Sequence, residues 1–380
     1  MSLRMGKRPA VTVATTDVLR GIAAFGLDPR DEAPGRISLS EEEWEGLAEE
    51  IELRRLSGLA LAAVSAEVVR LPEESRGDLT QRQRSAMLWA LKLERILVKL
   101  GEEFSRAGAA VAVLKGPAVA HTVYPDASWR PFGDIDLLVT GRHWQTACAI
   151  VEAAGFRRRA PEPRPGFNER FGQGTTYVDA SGVEVDLHRR LVFGAFGRWI
   201  DPDELLDRSV PFQLGGAELR RLDDTALMVH ACVNASLGGR SPAPLALRDV
   251  AQIARSGRVD WGALDEAVAR WRCRAVIRHA TEAVSRGLSV GIPVELARVA
   301  SAPVSRQELR ALAAYTTERR GRGGKARSTL RSLPGIRAKS SFVWSLVFPD
   351  GEFVAAREGS RGRTAYLRRW TTPLRWLGSH

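Results

Sequence analysis

Asp134-Ile135-Asp136 places two carboxylates two residues apart at the head of the apolar run Leu137-Leu138-Val139. In an extended strand alternate side chains share a face, so both acids project together while Ile135 turns into the core. Leu137 to Val139 carry the strand inward, which puts the acid pair at its exposed end. Carboxylates held side by side repel and need cations, and a hard divalent metal such as Mg²⁺ or Mn²⁺ is the common solution. The same spacing also suits plain hydrogen-bond acceptance at a turn. Downstream, Val183-Glu184-Val185-Asp186-Leu187-His188 alternates strictly, with Glu184, Asp186 and His188 on one face. Paired with the first strand, this segment supplies a third carboxylate at Asp186. Three acids on neighbouring strands can hold two metal ions for phosphoryl or nucleotidyl transfer. Unpaired, it is an edge strand with a solvated polar face. His188 suits either proton transfer beside Asp186 or a hydrogen-bonded structural role.

Upstream, Lys115-Gly116 ends a short apolar run, Ala110 to Leu114, and Pro117 opens a short helical segment that reaches Tyr124. Glycine permits close approach of backbone to a phosphate, proline is favoured at the first helical position, and a helix start favours anions. Lys115 is one of six lysines in the chain, so its placement carries information. Arg130, four residues before Asp134, can reach the same polyphosphate. A plainer reading makes Lys115 and Arg130 counter-ions of the aspartates. His230 and Asn234, one helical turn apart, face a cleft or are interior polar groups.

The elements that must position these residues change texture along the chain. Ser40-Glu41-Glu42-Glu43 carries a helix-capping signature, and the amphipathic pattern runs on through Leu47, Ile51 and Leu56 to about Val69. Pro72 and Gly77 punctuate, and Thr80 opens a second helix whose stripe includes Leu88, Leu91, Leu97 and Phe104. From Gly108 strands enter at 110–114, 134–139, 176–179 and 183–187, with a helix between Gly141 and Gly155. Helices return at 226–236, 245–254, 260–271, 274–286 and from Glu308 onward, with Asp260 as an N-cap. Strands and helices mixed this way suggest an α+β or α/β core over 108–220, flanked by helical regions over 1–107 and 221–318 and followed by a basic tail over 319–380.

Residues 319–380 carry 14 basic side chains against three acids, a net +11 that equals the charge of the whole chain. Residues 1–318 therefore balance, and a polyanion-binding function, for RNA or another polyanion, maps to the tail if the chain has one. The Gly- and Arg-rich stretch from Arg319 to Arg327 reads as a mobile loop. Tyr366 to Leu377 interleaves aromatics with arginine, which suits stacking on bases, an anionic membrane surface or docking on the domain itself. The three cysteines, Cys148, Cys232 and Cys273, lie too far apart for a zinc knuckle or a redox pair. No apolar stretch is long enough to span a bilayer, and no signal segment follows the basic start, so a cytoplasmic protein is expected. P-loop, GxSxG, HExxH and dinucleotide fingerprints are missing from the sequence.

Leu114-Lys115-Gly116, Arg130, Asp134-Ile135-Asp136-Leu137 and Val185-Asp186-Leu187-His188 together resemble the polymerase-β-like nucleotidyltransferase superfamily. The chain looks most like its uncharacterised bacterial nucleotidyltransferase family, whose members carry LKG, DIDLL and DLH in this order. The match spans 111–190, and looser similarity continues through Leu227–His230, Arg248-Asp249-Val250-Ala251 and Val259-Asp260-Trp261. The resemblance implies a mixed sheet that binds an NTP such as ATP with Mg²⁺ or Mn²⁺ and moves a nucleotidyl group to an acceptor. On that basis Asp134 and Asp136 hold the metals, Asp186 completes the site and helps activate the acceptor, and Gly116 lines the phosphates. The superfamily usually follows this glycine with Gly or Ser, whereas Pro117 offers neither hydroxyl nor amide donor, leaving Lys115 and Arg130 to compensate. The acceptor stays open between a small molecule, a peptide or protein hydroxyl (tailoring of a ribosomally made peptide among them) and an RNA end. Toxin-type relatives that modify tRNA share the pattern, and a non-catalytic nucleotide or RNA binder on the same fold is the alternative from another class.

Overall fold

The computed structural model describes residues 13–28, 37–238, 242–316 and 322–358. Its second helix, Glu41–Leu53, starts where the capping signature requires. The Glu43 amide donates to the Ser40 hydroxyl, and the Glu43 carboxylate accepts from the Ser40 amide at 2.8 Å. The helix does not run on to Val69. Arg55 takes a left-handed conformation (φ 57°), and a separate helix, Ser57–Ser65, follows. That break turns the Arg55 side chain toward Asp134, a consequence taken up below. Strand β1 (Ile37–Ser38) pairs in parallel with β2 (Val69–Arg70). The next helix, Glu73–Arg106, begins directly after Pro72 and passes through Gly77 without interruption. A helical glycine costs about 1 kcal/mol. Here that cost is outweighed by a buried stripe running from Leu79 through Leu93, Leu97 and Leu100 to Phe104.

Seven strands then build one mixed sheet: β3 (Val111–Val113), β4 (Ile135–Val139), β5 (Arg157–Arg158), β6 (Gly174–Val178), β7 (Glu184–His188), β8 (Val210–Leu214) and β9 (Ala217–Arg221). Their order is β5-β6-β7-β4-β3-β9-β8, with β4–β7 and β3–β9 parallel and the other pairs antiparallel. The α+β expectation holds. β7 lies between β6 and β4, so it is an interior strand and not the solvated edge that its alternation also allowed. β8 and β9 form a hairpin outside the sequence reading. Its turn, Gly215-Gly216, has positive φ at both glycines (57° and 82°), the requirement of a tight primed turn, and Pro211 sits on the edge strand, where no ladder amide is needed.

One face of the sheet, with Ile135, Leu137, Val139, Val185 and Leu187, packs under helices Glu73–Arg106 and Trp144–Ala153. Leu138, Ala112 and Leu114 point to the opposite face and join the core of the helices Asp224–Leu237, Pro244–Ala254 and Arg274–Leu288. Strand alternation puts Asp136 on the same face as Leu138, so the acids lie between the sheet and these helices. The first helix, Val13–Ala24, packs on Pro244–Ala254, where the fully buried Arg248 donates to the Ala23 carbonyl at 3.1 Å and to that of Phe25. The three cysteines are buried free thiols.

The stretch read as a mobile loop is a helix from Arg322 to Ser332 within the described residues. Ala326, Leu330 and Leu333 anchor it against Phe167, Phe171 and Phe342, an apolar contact that composition alone does not display. Helices Gly335–Val347 and Gly351–Glu358 follow, divided at Pro349-Asp350. Tyr366 to Leu377 lies outside the described residues. Among the described residues no helix is long and apolar enough to cross a membrane.

Candidate active site

The parallel ladder between β4 and β7 sets Asp136 directly opposite Asp186. Asp134, just before β4, completes a set of three carboxylates with Lys115 among them. Lys115 Nζ lies 3.0 Å from Asp136 Oδ2 and 3.6 Å from Asp134 Oδ2. Asp136 is 3% exposed, so it sits beneath the lysine and not at an open strand end. Burial alone would raise its pKa, but Lys115 and His188 outweigh burial and hold the carboxyl well below the usual range. For Lys115, burial opposes the charge, and Asp136 and Asp134 overcome it and raise the pKa. Asp186 goes the other way. Burial, with Asp136 and Asp134 nearby, pushes it up, against the hydrogen bond it accepts from the Thr176 hydroxyl.

His188 bridges the two strands' chemistry. Its Nε2 lies 2.9 Å from Asp136 Oδ1, and its Nδ1 lies 3.1 Å from the Gln173 amide nitrogen. The amide can only donate, so Nδ1 accepts and Nε2 carries the proton to Asp136. Both ring nitrogens are then engaged, which makes His188 a positioning residue for Asp136. His230, on helix Asp224–Leu237, is buried behind this cluster. Burial, helped by Lys115, lowers its pKa to about 4 and keeps it neutral.

Gly116 turns the chain out of β3 with φ 58° and ψ −118°, a conformation that favours glycine, and helix Pro117–Thr122 begins at once. Arg130 does not face the carboxylates. It is 4% exposed and grips Asp249 with two parallel hydrogen bonds, Nε–Oδ1 at 2.8 Å and Nη2–Oδ2 at 2.6 Å. Its remaining nitrogen, Nη1, donates to the Gly116 carbonyl at 3.3 Å. Tyr124 adds a hydroxyl donor to Asp249 at 2.8 Å. Arg130 thus anchors the Lys115-Gly116 turn from behind, and a polyphosphate would reach it only after the Asp249 pair broke. Asn234 lies one turn beyond His230 on the same helix and is half-buried.

Several residues outside the sequence reading complete the site. Arg55 Nη1 lies 3.6 Å from Asp134 Oδ1. It fits because residue 133 is glycine: a Cβ there would stand 2.5 Å from Arg55 Nη2. Thr176 is the β6 register partner of Asp186, so strand alternation alone could have placed it on the acid face. Gln173 carries no local signal, and Asp249 lies in the similar segment Arg248-Asp249-Val250-Ala251 without a site role in the sequence reading.

The donor set fits a divalent cation. Asp136 Oδ2 is buried with the Lys115 ammonium 3.0 Å away, and carboxylate oxygens of Asp136 and Asp186 lie within 4.8 Å of each other. Three carboxylates face two cations, Lys115 and Arg55, which leaves unbalanced negative charge on the acid face.

No curated protein matches the chain. Among solved structures, it is similar to an antigenic nucleotidyltransferase-like protein from Paracoccidioides brasiliensis, with 14% identity and a TM-score of 0.33 over 53% of this chain and 93% of that one. The model of a family described as an uncharacterised nucleotidyltransferase matches residues 40–287, from the helix capped by Ser40 through both acid-bearing strands to helix Arg274–Leu288. That match covers more than half of the chain, and the chain belongs to this family of nucleotidyltransferases.

Proposed function

We propose that the enzyme transfers a nucleotidyl group from an NTP to an acceptor nucleophile, with a divalent cation held by Asp134, Asp136 and Asp186. The observation that supports this reading is the β4–β7 register, which sets Asp136 against Asp186 beside Asp134. In the reaction the acceptor oxygen forms a bond to the α-phosphorus, the bond from that phosphorus to the bridging oxygen breaks, and pyrophosphate leaves. A cation at these carboxylates would offset charge on the phosphate oxygens and lower the acceptor's proton affinity.

The chain's own residues divide the remaining work. Asp186, whose raised pKa makes it the more basic carboxylate, takes the acceptor's proton. His188 fixes Asp136 through Nε2–H, and Gln173 fixes His188. Lys115 neutralises the aspartates before substrate arrives and is the nearest cation to exchange onto a phosphate oxygen. Gly116, held by Arg130, shapes the turn at which the phosphates lie. The acceptor is a small molecule, a peptide or protein hydroxyl, or an RNA end.

The test measures binding of each NTP to the full chain by calorimetry with Mg²⁺ and with EDTA, on wild type and Asp136→Ala. Binding of one NTP that requires the metal and disappears in the variant is expected. Equal binding by the variant, or binding indifferent to metal, refutes the cation role.

A further inference from the structure

Away from the carboxylates, helices Arg306–Thr316 and Arg322–Ser332 pack on each other, and the second also touches helix Ala195–Trp199. Between the three lies a cavity of about 860 Å³, within the size range of small-ligand pockets. Four arginines line it: Arg306 and Arg310 one turn apart on one helix, Arg327 and Arg331 one turn apart on the other. None of the four has an ion-pair partner among the described residues, and no described lining residue is acidic. The acid on the first helix, Glu308, is turned away and fully used. It accepts from the Ser305 amide and hydroxyl at 3.1 and 2.7 Å and from the Arg274 amide at 2.7 Å.

Like charges spaced four apart on a helix destabilise it by a few tenths of a kcal/mol, and here two such pairs face one hollow. The walls are nevertheless fixed. The Tyr315 hydroxyl donates to the Phe193 carbonyl, and Tyr315 and Trp199 both pack on Phe196. Guanidinium groups that converge on a concave site suit phosphate oxygens, which they bind in a forked geometry. Trp199, three alanines and the polar side chains of Gln307, Ser328 and Ser332 supply the rest of the lining.

We propose that this cavity is a second binding site, for a compact ligand carrying two or more phosphate groups. It is assembled from residues on both sides of position 319, so it is not a property of the basic tail alone. Arginines spread along an open stripe would favour a nucleic-acid backbone, whereas these four surround a single hollow. The proposal does not depend on the chemistry assigned to Asp134, Asp136 and Asp186.

The test titrates inorganic tripolyphosphate into the full chain by calorimetry, without divalent metal, at low and high salt. One equivalent is expected to bind, more weakly at high salt. Arg310→Ser combined with Arg331→Ser should weaken binding at least tenfold, while Asp136→Asn leaves it unchanged. The double variant's thermal midpoint should equal or exceed wild type, because it removes repulsion. Absence of binding to wild type overturns the proposal, as does binding that survives the double variant or is lost in Asp136→Asn. Binding of a single-stranded RNA 20-mer with no response to tripolyphosphate also overturns it, in favour of a nucleic-acid surface.

Discussion

Replacing Arg130 by leucine separates a structural anchor from a phosphate ligand. The Arg130 and Asp249 side chains are 5% and 6% exposed, joined by two hydrogen bonds of 2.6 and 2.8 Å. Arg130→Leu leaves the Asp249 carboxylate buried with only the Tyr124 hydroxyl as donor. Breaking one partner of such a pair costs about 3–5 kcal/mol, whereas replacing both by apolar groups is often near neutral. Arg130→Leu and Asp249→Leu alone should therefore each lose about 3–5 kcal/mol in urea unfolding. The double variant should recover most of that loss, with a coupling energy of at least about 2 kcal/mol. A small further deficit is expected from the Gly116 carbonyl, which loses one of its two donors and keeps the Ala120 amide. The reasoning fails if Arg130→Leu unfolds within about 1 kcal/mol of wild type, or if the double variant is worse than both single ones. NTP affinity lost without loss of stability would instead put Arg130 at the phosphates.

His230 provides a pH test. Its folded pKa of about 4 lies below the ordinary value of 6.5, so the unfolded chain binds its proton first as pH falls. The stability associated with burying a neutral ring is complete above about pH 6.5 and is lost between there and pH 4. His230→Gln should reduce the wild-type loss between pH 7.5 and 4.5 by about 2–3 kcal/mol in urea unfolding. Parallel pH profiles for the two proteins would refute it. Gly133→Ala places a Cβ against the tip of the flexible Arg55 side chain, so unfolding stability should change by less than about 1 kcal/mol while Arg55 leaves Asp134. Its effect on NTP affinity should match that of Arg55→Ala, and the pair should not add; additive effects would show that Arg55 reaches Asp134 regardless of residue 133.

The acid-bearing strands were legible because their pattern is local. Strict alternation in Val183–His188 and the apolar run after Asp136 allow little besides strands, and the ladder register brings their acids together. The mixture of strands and helices pointed to an α+β or α/β core, and the mixed sheet came from the family resemblance. What stayed hidden depends on partners far along the chain. Arg130 sits four residues from Asp134, and sequence proximity aimed it there; its partner is Asp249, 119 positions away. Arg55 enters the site through a left-handed residue that no helix-breaking signal announced. The loop expected around Arg322–Arg327 became helix because its apolar residues find a phenylalanine cluster contributed by two distant segments. The Gly215-Gly216 turn, by contrast, was a local hairpin signal that alternation on its two flanks would have exposed.

Arg248 and Asp249 are adjacent in sequence and tie down two segments far apart in the chain: the end of helix Val13–Ala24 and the turn beside Lys115. During synthesis the acceptor carbonyl of Ala23 emerges 225 residues before the arginine that binds it. At ~5–20 residues per second, the helix has helix Ser57–Ser65 as an early partner and waits roughly 10–45 s for helix Pro244–Ala254. The nascent chain therefore holds a first helix that is only partly covered for most of its own translation. Slowed elongation between residues 25 and 249 should increase chaperone capture of that helix.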